Sequence, residues 1–103
     1  MAIKVELTTF FKKNLTLMLK RGKKEKKFTD VLELLIENIE QGVEPHLLLP
    51  NKYKLHKMSG QYSGFWDCHI ENDWILIYSL DQGVLRLVRT CSHSDFMHKT
   101  RNT

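Results

Sequence analysis

A chain of 103 residues has room for a single domain, here residues 1–103, with one modest core. With 42% hydrophobic and 27% charged residues, its make-up is that of a folded protein and excludes wholesale disorder. Sixteen basic against twelve acidic residues leave a net charge of +4, which favours a polyanionic partner without naming one.

The chain starts Met1-Ala2-Ile3-Lys4-Val5-Glu6, which lacks the uninterrupted apolar stretch of a secretory signal, and no later run is apolar enough to span a bilayer. A cytoplasmic protein with no membrane partner is expected. Cys68 and Cys91 fit that compartment as reduced thiols, though the sequence leaves a disulfide between them open. Residues Ile3 to Leu7 alternate apolar and polar and predict a half-buried strand. Thr8 and Thr9 then offer N-caps for a helix to about Arg21, with Phe10, Phe11, Leu15, Met18 and Leu19 as its apolar stripe and Gly22 as its stop. Lys20 to Lys27 reads Lys-Arg-Gly-Lys-Lys-Glu-Lys-Lys. It is either a solvated helix–helix connection or a phosphate-contacting patch, and both readings stay open.

A second helix is predicted from Phe28-Thr29-Asp30 to Gln41-Gly42, with Val31, Leu32, Leu34, Leu35, Ile36 and Ile39 on a wide apolar face. Residues 43 to 61, with Pro45 and Pro50, read as an ordered loop. Three strands follow: Tyr62 to Ile70, Trp74 to Leu80 and Val84 to Cys91. Turns at Glu71-Asn72-Asp73 and Asp81-Gln82-Gly83 separate them. Residues 94 to 99 add about one helical turn, and Thr100 to Thr103 should fray. The order is β-α-α-β-β-β, an α+β fold in which a helical hairpin packs on one face of a mostly antiparallel four-stranded sheet. The other face is left free for a site.

Four of the five histidines lie in the second half, and three of them sit in short polar settings beside apolar strand-like runs: His56, His69 and His93. Imidazole can take and give protons near neutral pH, so histidines in a small basic protein suggest proton transfer on an anionic substrate, RNA first. Strand parity puts Asp67 and His69 on one side of their strand, and Arg89, Cys91 and His93 on one side of the last. A meander would bring His56, His69, Asp73, Arg89 and His93 to one end of one sheet face. Two imidazoles would serve as base and acid for attack of a ribose 2′-OH, Arg89 or a third imidazolium would hold the phosphate, and Asp73 would orient or charge-stabilise a histidine. Asp73 is also ordinary turn chemistry, and His46 and His98 read as surface residues. Trp74, Phe65 and Tyr78 read as packing, while Tyr62 and Trp66 are the candidates for base stacking. A zinc site from Cys68, His69, Cys91 and His93 does not match structural spacings.

Three segments carry a further signal. They are Tyr53-Lys54-Leu55-His56-Lys57-Met58-Ser59-Gly60, Gly64-Phe65-Trp66-Asp67-Cys68-His69-Ile70-Glu71-Asn72-Asp73-Trp74-Ile75-Leu76-Ile77-Tyr78, and Leu85-Arg86-Leu87-Val88-Arg89-Thr90-Cys91-Ser92-His93-Ser94. In this order they closely resemble the YafQ-type toxins of the RelE superfamily, the toxin halves of bacterial type II toxin–antitoxin modules. The motifs cover about residues 50 to 97. The resemblance implies a RelE-like fold and a ribosome-dependent mRNA endoribonuclease, or mRNA interferase, that uses no metal or other cofactor. It implies as partners a cognate antitoxin, the ribosome and its mRNA, with operator DNA reached only through the antitoxin. It carries over His56, His69, Asp73 and His93 as catalytic, and Arg89, Lys54, Lys57 and Met97 as RNA-binding.

Two positions depart from the family pattern. Trp66 stands where Arg is usual, which would remove a phosphate contact, and Met97 stands where Phe is usual, with Phe96 one residue early. Two other classes compete: a ParE-like toxin acting on a protein such as DNA gyrase, and an RNA-binding module without cleavage. The three histidines argue against the first, and substituting His69 and His93 separates the second.

Overall fold

In the computed structural model, residues 2–101 are described, with side chains to Met97. Strand β1 (Lys4–Leu7) leads into helix α1 (Thr9–Lys20) and helix α2 (Glu25–Glu40). Two 3₁₀ turns, Pro45–Leu47 and Asn51–Tyr53, precede a two-residue strand β2 (His56–Lys57), and a third spans Gly60–Tyr62. Strands β3 (Trp66–Glu71), β4 (Trp74–Asp81) and β5 (Val84–Ser92) form the meander, and helix α3 (His93–Arg101) ends the described chain. Among these elements no helix is long and apolar enough to cross a membrane.

Both helix ends follow from the sequence. Thr8 caps α1, its Oγ1 accepting from the Phe11 N–H at 2.9 Å. Gly22, at φ 96°, lets the chain reverse, so that Lys23 N–H reaches Met18 O and Gly22 N–H reaches Leu19 O, both at 3.1 Å. Helix α2 begins three residues before the expected Phe28, inside the lysine block. Lys and Glu are good helix formers, nothing after Gly22 breaks a helix, and Glu25 sits favourably in the first turn. The block is therefore partly helical, and Arg21, Lys23 and Lys26 are each held in ion pairs, with Asp95, Glu71 and Asp30.

The sheet has five strands, not four, in the order β1-β5-β4-β3-β2. The fifth is β2, too short to show any alternation in sequence. Only β1 runs parallel to its neighbour, β5; the other pairings are antiparallel. The strand predicted from Tyr62 starts at Trp66 instead, because Gly60–Tyr62 closes a 3₁₀ turn. Gln82 and Gly83 both take positive φ (49° and 78°) and join β4 to β5 as a tight hairpin. The helical turn expected over 94–99 is longer and includes His93 and Arg101. Of the tail expected to fray, Thr100 and Arg101 are helical, whereas Asn102 and Thr103 lie outside the described residues.

The core lies between the helices and one sheet face, built from Phe11, Met18, Phe28, Val31 and Leu35 against Cys68, Ile70, Trp74, Leu76, Tyr78, Leu85 and Leu87. Ile75 and Ile77 point to the opposite face, yet are fully buried as well. That is why β4 reads as a continuous apolar run.

One irregularity decides what the second face carries. Strict alternation along β5 would put Arg89 and Cys91 on the same side as Leu85 and Leu87, inside the core. The register slips between Tyr78↔Leu87 and Ile77↔Arg89, leaving Val88 as an extra residue. This bulge turns Arg89 and Cys91 to the open face beside Ile77 and Ile75.

Candidate active site on the open sheet face

Cross-strand pairing sets out the open face in two rows. One runs His56, Asp67, Ile77, Arg89 across β2, β3, β4 and β5; the other runs His69, Ile75, Cys91. Helix α3 closes the end of the second row and brings His93 over His69, with ring centroids 5.4 Å apart. The structure thus brings together His56, His69, His93 and Arg89, with Asp67 among them.

Asp67 is almost fully buried, and its Oδ2 lies 3.4 Å from Nε2 of the more exposed His56. The other ring nitrogen of His56, Nδ1, lies 3.1 Å from the carbonyl oxygen of Lys54. Lys54 is in the left-handed conformation (φ 51°), which turns that carbonyl back toward the ring. Two polar atoms in this group are buried without a hydrogen-bond partner: Asp67 Oδ1 and His69 Nδ1. Burial pushes the Asp67 carboxyl above the ordinary carboxylate range, offset in part by the imidazoles of His56, His69 and His93, in that order.

The sign of this shift has a stability consequence. A raised folded-state value favours the fold below the ordinary carboxylate range, and that advantage is lost as pH rises through the raised value. Asp67→Asn removes the buried charge, so it should melt higher than wild type at neutral pH, with the difference vanishing in acid. Thermal melts across pH check this.

Asp73 is tied to the start of α3. Its carboxylate Oδ1 accepts from Ser94 N–H at 3.2 Å and Ser94 Oγ at 3.3 Å, and its carbonyl accepts from His93 N–H at 3.2 Å. Ser92 Oγ accepts from Asp95 N–H at 2.9 Å. The carboxylate therefore holds the N-terminus of α3, the helix that carries His93. Asp73→Asn keeps an acceptor and should retain most of the chain's activity, whereas Asp73→Ala should lose the cap, worth about 0.5–2 kcal/mol. Denaturation and cleavage assays of the pair check this; equal losses in both variants would return the charge itself to the chemistry.

Arg89 donates from Nη1 to Tyr62 Oη at 2.9 Å, and its guanidinium lies 5.0 Å from the Phe96 ring centroid. Tyr62 meets Phe96 edge-on at 5.4 Å. Phe96 thus backs the arginine, while Met97 is 44% exposed one residue on. A cleft of about 630 Å³ opens here, lined among others by His56, Lys57, Tyr62, His93, Phe96 and Met97. A second, of about 650 Å³, is lined by Lys23, Lys27, Lys52, His69 and Asp73. The His69–His93 pair stands where the two clefts approach each other.

Several expected residues lie elsewhere. Trp66 packs against the core, opposite in parity to Asp67 and His69, so it is neither a stacking platform nor a position from which an arginine side chain would share the histidines' face. Lys54 contributes its carbonyl to His56. His46 is on the surface near Glu44, at 3.7 Å, and the His98 side chain lies outside the described residues. Cys68 is in the core, its thiol pushed up by burial, while Cys91 is on the opposite face, and no disulfide joins them. Among the described residues no group of three or more His, Cys, Asp or Glu side chains is placed to hold a metal ion. The residue that sequence reasoning left out of the site is Asp67. Its signal was present in the Asp67-x-His69 spacing, which puts both on one strand face.

Comparison with known proteins places this arrangement. The family model described as the bacterial toxin of type II toxin–antitoxin system, YafQ, matches residues 3–98. The chain is 38% identical over 90 residues to the mRNA interferase toxin YafQ of Escherichia coli K12, covering 87% of this chain and 90% of that one. Its fold matches the crystal structure of YafQ from E. coli BL21(DE3) with a TM-score of 0.78 at 35% identity, covering 91% and 97% of the two chains. The toxin in the E. coli DinJ–YafQ toxin–antitoxin complex matches equally, with a TM-score of 0.78 at 36% identity, covering 92% and 97%. A mixed α+β fold with a histidine-lined open face, together with matches along nearly the whole length, shows that the chain belongs to the YafQ family of bacterial type II toxin–antitoxin toxins.

Proposed function

We propose that this chain cleaves mRNA in the ribosome by metal-independent general acid–base catalysis and so halts translation. The observation that carries the reading is the cluster of His56, His69 and His93 around one buried carboxylate on a face flanked by Arg89. Message cleavage is the activity that its relatives carry in their names.

The chemistry requires three things of the protein. One imidazole removes the proton of the ribose 2′-OH as that oxygen attacks the adjacent phosphorus. The bond to the 5′-oxygen breaks, and a second imidazolium protonates the departing oxygen. The products are a 2′,3′-cyclic phosphate and a free 5′-OH, with proton and charge balanced. Arg89, its guanidinium already steered by Tyr62 and Phe96, holds the phosphoryl oxygens as charge builds. Lys57 and Met97 line the cleft beside His56 and His93, where flanking nucleotides would lie. Asp73 seats His93 through α3. A cognate antitoxin restrains the toxin, as DinJ accompanies YafQ in the solved complexes, and operator DNA is reached through that antitoxin.

Purified toxin added to ribosomes stalled on a defined message, and to the same message alone, tests this reading. Cuts at the A-site codon of the programmed complex, with the free message intact, are the expected result. Equal cutting of both would overturn ribosome dependence, and no cutting of either would overturn the nuclease reading.

A further inference from the structure

Among the described residues Asp67 is the one carboxylate in the buried set, and its surroundings constrain a proton. A carbonyl oxygen only accepts, so the contact between His56 Nδ1 and Lys54 O puts a hydrogen on Nδ1. The other nitrogen, Nε2, then carries a hydrogen only when the ring is an imidazolium. Nε2 faces Asp67 Oδ2 at 3.4 Å. Two bare lone pairs pointed at each other across that gap repel, so the pair needs one proton, on the ring or on the carboxyl. Asp67 Oδ1 has no protein hydrogen-bond partner among the described residues, so no neutral side chain or backbone N–H takes the place of His56 there.

We infer that Asp67 is a positioning residue that shares one proton with His56 Nε2, fixing the ring's aim while the Lys54 carbonyl sets its tautomer, and presenting the two groups to substrate as a single protonated unit. The inference rests on the acid–base reading of the site and deepens it. His56 and Asp67 act together, while the His69 ring, whose buried Nδ1 has no partner, is a separate proton carrier facing His93. The charged and titratable groups around Asp67 are His56 and Lys57 on β2, His69 on its own strand, His93 on α3, and Arg89 in the same cross-strand row on β5.

The test is ¹⁵N NMR of the histidine rings in the full chain, for wild type, Asp67→Asn and Asp67→Glu, with the pH–rate profile of cleavage measured alongside. Asn removes the group that shares the proton, so it should shift the pH–rate profile, and Glu should restore much of it. The ¹⁵N shifts of neutral His56 should report hydrogen on Nδ1. A purely structural role for Asp67 would lower the rate without moving the profile along the pH axis. An unmoved pH–rate profile in a folded, active Asn variant overturns the inference. So does a neutral ring protonated on Nε2 in wild type, a result that stands even if the variants do not fold. If wild type shows the hydrogen on Nδ1 but cuts no message, the pairing stands and the nuclease reading fails.

Discussion

Replacing His93 with alanine should slow message cleavage by about 10²–10⁴-fold, the usual contribution of one general acid or base. His93 is the first residue of α3, where its N–H is held by the Asp73 carbonyl at 3.2 Å and its ring lies 5.4 Å from that of His69. It also lines the cleft with His56, Phe96 and Met97. Truncation removes a proton carrier where substrate would lie and leaves the backbone caps of α3 in place. The melting temperature should therefore stay near that of wild type while the rate collapses. Quench-flow cleavage of a message bound to ribosomes measures the rate at saturating toxin. A loss confined to binding, with the saturated rate unchanged, would assign His93 to substrate contact rather than proton transfer.

Trp74→Ala should destabilise the fold by about 3–5 kcal/mol, well beyond the loss of the α3 cap in Asp73→Ala. Trp74 is fully buried where β4 begins, and its indole N–H donates to Thr90 Oγ1 at 2.7 Å. Thr90 in turn donates to the Ile75 carbonyl at 2.7 Å, so the indole is tied into the β4–β5 ladder. Truncation both opens a cavity and strips Thr90 of its donor. Domains of this kind are stable by only roughly 5–15 kcal/mol, so the variant would be marginal at growth temperature. Trp74→Phe keeps most of the volume and should lose much less. Urea denaturation of the two variants separates packing from the hydrogen bond. A loss under about 1 kcal/mol for alanine would contradict the burial described for this residue.

The contrast between these two sites bears on what was legible in the sequence. Long periodic segments were readable because burial leaves a pattern: α1 through Phe11 and Met18, β4 through its apolar run, and the helix stop at Gly22 through its positive φ. The convergence of His56, His69 and His93 also followed from element order and parity. What did not follow were features without periodicity. β2 is two residues long and shows no alternation. The bulge at Val88 is a register event that no local composition encodes, yet it alone sends Arg89 to the site rather than to the core. Trp66 looked like a lost phosphate contact because the family pattern has Arg there, whereas strand parity turns it to the core. Asp73 looked like an imidazole partner by spacing, but its carboxylate faces the freed N–H groups of α3, a helix end that the sequence placed one residue later. Asp67 was placed on the face of His69 by parity but given no role, because its burial is a tertiary property that the strand pattern does not encode.

The central claim is that the histidine cluster cuts mRNA during translation. Primer extension on a reporter mRNA, after inducing this chain in bacteria beside its His93→Ala variant, tests that claim most directly. The predicted result is cuts inside the reading frame that vanish in the variant and vanish when translation initiation is blocked. Growth arrest with an intact message would contradict the claim and point to a protein target such as DNA gyrase.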